Sequence, residues 1–169
     1  MTDVAPAHLR LTASGDVEEA NAAIGAALST DSMESEFDVL LDAVQRDLLA
    51  LAAELLEPSA ARVDRACLDR LDSARRRYAH QDPLPPGNHV LAGRSDAAGL
   101  LRLARAVTRR AERSVRALAA AEPQTSSQLP AAYLDGLADL LPVLALRVER
   151  AAPGYVTMGA CNDSPARTA

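Results

Sequence analysis

The chain contains no lysine and no tryptophan: its 18 basic residues are all arginine, and aromatic side chains make up 2% of 169 residues. Without lysine, a phosphate site of the Walker type is excluded, so any anion must be held by guanidinium groups, backbone N–H groups or helix N-termini. With so few rings, the 49% of apolar residues must build a core from Leu, Ala and Val, which favours close-packed helices over a sheet. Cys67 and Cys161 are far apart and neither sits in a metal-ligand spacing, so they read as free thiols of a reducing compartment and no metal site is predicted. The first residues, MTDVAPAHLRL, lack the apolar run of a signal peptide, and no stretch is expected to reach bilayer-spanning length. A soluble, cytoplasmic protein with no membrane partner is predicted. A formal charge of -5 argues against a nucleic-acid partner.

What is present is organised around Gly99 to Leu118, GLLRLARAVTRRAERSVRAL. Leu100, Leu103, Ala104, Val107, Ala111, Val115 and Leu118 recur at three- and four-residue steps, the period of one buried helical face. Arg102, Arg105, Arg109, Arg113 and Arg116 follow the same spacing and form a cationic stripe on that helix. Arginines stacked in this way repel one another, so something anionic should answer them. One answer is a phosphate-bearing ligand, since the guanidinium fork donates two parallel hydrogen bonds and stays charged at any working pH. The other is an acidic helix, and one is available. Between Asp31 and Glu57 eight acidic residues stand against Arg46 alone.

Residues 1–14 are predicted to be irregular, with a helix starting near Asp16, where Asp16 and Glu19 have the spacing of a capping box. Gly25 inside that helix marks a close helix crossing. A second helix runs from about Met33 to Leu56 with Phe37, Leu40, Leu41, Val44, Leu48, Leu51 and Leu55 inward, and a third from about Ala61 to His80. The stretch QDPLPPGNHVLAGRS from Gln81 to Ser95 holds three prolines and two glycines and cannot be a continuous helix. Ser95 is placed to cap the arginine helix. Pro130 suits the first turn of a last helix through Arg150, with Leu134, Leu137, Leu141 and Leu144 inward and a kink or break at Pro142. The prediction is all-α, a five-helix bundle over residues 15–150, followed by a disordered tail at 151–169.

Three pieces resemble the PduO-type corrinoid adenosyltransferases: LRLTASGDVEEANAAIGAAL at 9–28, LARAVTRRAERSV at 103–115 and AAYLDGLADLLPVLA at 131–145. RRAER at 109–113 is the most specific. The resemblance implies a homotrimeric five-helix bundle that transfers the adenosyl group of ATP, with Mg²⁺, to cob(I)alamin and releases triphosphate. It implies ATP contacts at Arg109, Arg110, Glu112, Arg113 and Asp135, catalytic roles for Arg105 and Arg109, and an intersubunit salt bridge between Glu18 and Arg105. His89 stands at the position of a phenylalanine that faces the corrin. It reads either as a cobalt ligand, which neutral imidazole suits, or as a surface-loop histidine.

The departures bear on activity. The family's N-terminal Gly/Thr-rich phosphate loop has no counterpart, so the chain reads as an N-terminally shortened, diverged member. Glu18 replaces an aspartate, Asp135 an asparagine that contacts ATP, Pro142 an aromatic residue and Leu146 an arginine. The alternative to an active transferase is a non-catalytic corrinoid- or nucleotide-binding relative, or a partner subunit of an intact adenosyltransferase. A third reading is a structural bundle whose arginines only meet acidic helices.

Overall fold

A bundle built with few large rings depends mostly on small aliphatic contacts, and the computed structural model is arranged accordingly, with Phe37, Tyr78 and Tyr133 the buried rings among the described residues. It describes residues 6–30, 33–59, 62–81, 95–123 and 127–152, which form five helices. These are α1 (Pro6–Leu28), α2 (Ser35–Leu56), α3 (Arg65–Gln81), α4 (Asp96–Ala121) and α5 (Leu129–Ala151). No strand occurs among the described residues. α1 packs against α2 and α4, and α5 against α4 and α3. Cross-helix pairs fix the directions. Arg10 on α1 reaches Glu122 just past α4, and Arg110 on α4 reaches Glu19 on α1. Asp47 on α2 meets Arg70 on α3 and Tyr133 on α5. Helices α1, α3 and α5 therefore run one way and α2 and α4 the other.

The first helix starts earlier than expected. Pro6 occupies its first position, where a missing N–H costs nothing, and Ala13, Val17, Ala20, Ile24 and Ala27 are fully buried along one face. Ser14, a residue that argued for irregular chain, turns inward and its hydroxyl donates to the Ala52 carbonyl at 3.3 Å. Tertiary packing thus overrides the weak propensity of TASG. Asp16 and Glu19 lie inside the helix, not at its start, and are free to face α4. The expected close crossing is present: a Cβ on Gly25 would stand 3.1 Å from Gln45 Nε2, which donates to the Asn21 carbonyl of the same helix.

The third helix begins at Arg65, later than Ala61. Asp64 accepts from Cys67 N at 3.0 Å, as an N-cap does, and that bond holds its carboxyl below the usual carboxylate range. The preceding N–H groups of Arg62 and Val63 both donate to Glu54, at 2.8 and 2.9 Å. At the start of α4, Ser95 caps as expected, accepting from Ala98 N. On α4 the core face is Leu101, Ala104, Val107, Ala111, Val115 and Leu118. Leu103, expected inward, is 54% exposed, because Leu101 fills the layer one turn before Ala104 and turns Leu103 outward.

α5 does not break at Pro142. It continues to Ala151 with residues 140–146 all buried. A proline inside a helix costs ~3 kcal/mol through the lost hydrogen bond and the ring clash, and burial of the leucines around it is sufficient to hold the helix together. This helix is also long and apolar enough to cross a membrane by length and composition, which corrects the expectation that no stretch is; most of it is buried inside the bundle. The expected tail lies largely outside the described residues.

Candidate active site on the arginine helix

The acidic run of α2 does not answer the arginine stripe of α4. Asp47 pairs with Arg70 and Glu36 with Arg77 on α3, Asp42 pairs with Arg46 inside α2, Glu54 accepts from the Arg62 and Val63 N–H groups, and Glu34 just before α2 pairs with Arg147 on α5. The guanidinium groups of α4 are left to α1, α5 and themselves.

Their fates differ along the helix. Arg102 donates to Glu149 on α5 at 2.6 Å, and Glu149 is 1% exposed, so this is a buried structural pair. Arg109 is held on three sides: Nη1 donates to Glu112 at 2.8 Å and to Asp135, and Nη2 to Asp139 at 2.6 Å. Partial burial works against its charge, and the carboxylates of Glu112, Asp135 and Asp139 more than offset it, so its pKa lies above the usual arginine value. Glu112 accepts in turn from Arg116 Nε at 2.8 Å. Arg110 turns to α1. It pairs with Glu19, which is the main reason its pKa is raised, and donates to Asp16 at 3.2 Å. Asp16 also accepts from Ser114 Oγ.

Arg105 and Arg113 have no hydrogen-bond or ion-pair partner among the described residues. The Nε atoms of Arg70 and Arg102 are also buried without a partner, yet each of those guanidinium groups engages a carboxylate through Nη2. Arg105 engages none while its Nε is buried, a costly state for a charged donor. Arg113 is exposed. Glu18, expected to pair with Arg105, is exposed on α1 and the two do not meet within the protomer.

The structure therefore brings Arg109, Glu112 and Asp135 together, sets Arg110 on the α1 side, and leaves Arg105 and Arg113 open. His89 lies outside the described residues. Three members of the cluster were missed in the sequence: Asp139, Asp16 and Glu19. Asp139 repeats Asp135 one turn on, the signal that could have found it. Asp16 and Glu19 were visible but read as a cap. Chemically, a helix that presents open guanidinium groups beside a clamped one suits a polyanion whose charge must be held and released.

A family model for cobalamin adenosyltransferase matches residues 1–148. A corrinoid adenosyltransferase of Mycobacterium leprae (strain TN) is 39% identical over 153 residues, covering 84% of this chain and 79% of the relative. A cobalamin adenosyltransferase of Cupriavidus metallidurans is 35% identical over 148 residues, covering 86% of this chain and 78% of the relative. A variant of the PduO-type ATP:corrinoid adenosyltransferase from Lactobacillus reuteri, complexed with cobalamin and ATP, superposes with a TM-score of 0.67 at 25% identity, covering 84% of this chain and 82% of that one. Another variant of the same enzyme, complexed with ATP, gives a TM-score of 0.71 at 24% identity, covering 84% and 83%. The chain belongs to the cobalamin adenosyltransferase family.

Proposed function

We propose that the chain transfers the adenosyl group of ATP to cob(I)alamin. The Co(I) electron pair attacks the ribose 5′ carbon, the bond from that carbon to the triphosphate oxygen breaks, and triphosphate leaves with its electrons. The observation that carries the reading is Arg105, a guanidinium with a buried Nε and no partner among the described residues. Arg109 and Arg113 lie one and two turns further along the same helix. Guanidinium groups fixed where charge develops on the leaving group lower the barrier of such a displacement. On this reading Arg105 and Arg109 act on the departing triphosphate, and Arg110 and Arg113 bind the polyphosphate. Glu112 and Asp135 face the nucleotide and its Mg²⁺, and His89 faces the corrinoid.

A homotrimer accounts for two features that one protomer leaves without a purpose. Glu18 is exposed and Arg105 has no partner among the described residues, which fits a salt bridge between the two across subunits. Gly15 sits on the exposed face of α1 with nothing within 4 Å of an added Cβ. In mid-helix it costs about 1 kcal/mol against Ala, a cost that close approach of another helix would offset. A cytoplasmic location fits a chain in which the one membrane-length helix among the described residues is mostly buried in the bundle.

One observation favours the second reading, a non-catalytic nucleotide- or corrinoid-binding relative or partner subunit. Arg109 is already held by Glu112, Asp135 and Asp139, so an anion must compete for it. An anaerobic titration with reduced cobalamin, with and without MgATP, separates the two. Adenosylcobalamin growing in only with MgATP is expected; a corrinoid spectral change without turnover would establish the second reading instead.

A further inference from the structure

Two guanidinium groups and three carboxylates meet between α4 and α5. Arg109 and Arg116 face Glu112, Asp135 and Asp139, which leaves the cluster with one excess negative charge. Glu112 is buried and pinned from its other oxygen by Arg116, so it is fixed. Asp135 and Asp139 differ from it. They stand one turn apart on α5 with side chains 49% and 52% exposed, and they draw Nη1 and Nη2 of the same guanidinium toward α5. A polyanion approaching Arg109 thus meets carboxylates and a guanidinium whose Nη groups are already engaged. Among the described residues, neighbouring Arg105 and Arg113 have no carboxylate partner.

We propose that Asp135 and Asp139 form a clamp that holds Arg109 against α5 in the nucleotide-free chain, and that a polyphosphate binds by taking the guanidinium out of it. The proposal rests on the reading of Arg109 as a group that holds triphosphate. The exchange replaces charge-assisted hydrogen bonds to carboxylate with similar ones to phosphate, so the gain at Arg109 is only their difference. The released carboxylates, half in water, still repel the bound anion. The clamp therefore sets affinity, and Asp135 and Asp139 act as positioning residues that oppose nucleotide binding. Glu112 keeps its place through Arg116 whether or not Arg109 moves.

The sign of one effect tests this. Replacing Asp135 or Asp139 by Asn removes a negative charge while keeping side-chain size and a carbonyl acceptor for Arg109. Binding of inorganic tripolyphosphate and of ATP, both without Mg²⁺, is measured by calorimetry on the full-length chain. Asp135→Asn and Asp139→Asn should each bind both probes tighter by up to about fivefold, the scale of a half-exposed ion pair. The double variant should bind tighter than either, and the gain should shrink at high salt. Equal affinity in wild type and variants would overturn the clamp and leave the nucleotide site standing. Weaker affinity in the variants would also overturn it, by making the carboxylates supports of the bound ligand. No binding by wild type or any variant would overturn the clamp together with the reading of Arg109 on which it rests.

Discussion

Between α2 and α3 the Arg70 guanidinium meets Asp47, which also accepts from the buried Tyr133 hydroxyl at 2.9 Å. On α4, Arg105 and Arg113 meet no partner at all among the described residues. Both regions place arginine on a helix with carboxylates within reach along the chain. In the first, three helices converge on one carboxylate, which holds Arg70 Nη2 and the Tyr133 hydroxyl together. In the second, charge is placed and left unanswered, which a fold selected for stability alone would not do. A paired arginine can thus belong to the fold, as Arg70 does, or to the site, as is proposed for Arg109, whereas an arginine without a partner on a well-packed helix is a sign of a ligand or a second subunit.

Substitutions can break this contrast. The largest effect is expected from Arg105→Ala, which should lower the adenosylation rate by roughly 10²- to 10³-fold, the scale of losing one donor to a developing charge. The stability of the single protomer should hardly change, because within it the guanidinium has no partner among the described residues; what goes with it is the proposed intersubunit bridge to Glu18. Asp47→Ala should do the opposite. It strands the Tyr133 hydroxyl in the core and removes the partner of Arg70, costing about 2 kcal/mol of unfolding free energy, with ATP affinity of the folded protein retained.

Tyr133→Phe sharpens the comparison with a smaller effect, about 1 kcal/mol. Burial first, and the nearby Asp47 second, push the Tyr133 phenol far above its ordinary value. A group raised in this way stabilises the fold fully below the pKa of the unfolded tyrosine, near 10, and that contribution is lost as pH rises above it. Unfolding free energy should therefore fall with pH above about 10 in the native chain, and less steeply in Tyr133→Phe. Equal slopes would remove Tyr133 as the group responsible.

Much of this was legible beforehand, for identifiable reasons. α2 and the core of α5 announced themselves through aliphatic residues at helical spacing, and Ser95 through its place before α4. The start of α1 was not legible, because Ser14 and Gly15 look like loop residues until Ala13 and Val17 are seen packed beneath them. Pro142 misled in the same way, since its burial among leucines is a tertiary fact. RRAER pointed to α4 as the candidate site, yet which of its arginines are engaged depends on Asp16, Glu19, Asp135 and Asp139, contributed by two other helices. Spacing along one helix cannot show that. The acidic run of α2 was read as a possible partner for α4, and only the packing directs Asp47 and Glu36 to α3 and Glu34 to α5.

If the open arginines of α4 serve a ligand and not the fold, Arg113→Ala should separate the two. Arg113 is exposed and has no ion-pair or hydrogen-bond partner among the described residues. In ATP calorimetry and urea unfolding of the same preparation, a clear loss of ATP affinity with an unchanged unfolding midpoint is expected. Unchanged affinity, or affinity lost only in step with stability, would return the stripe to a structural role.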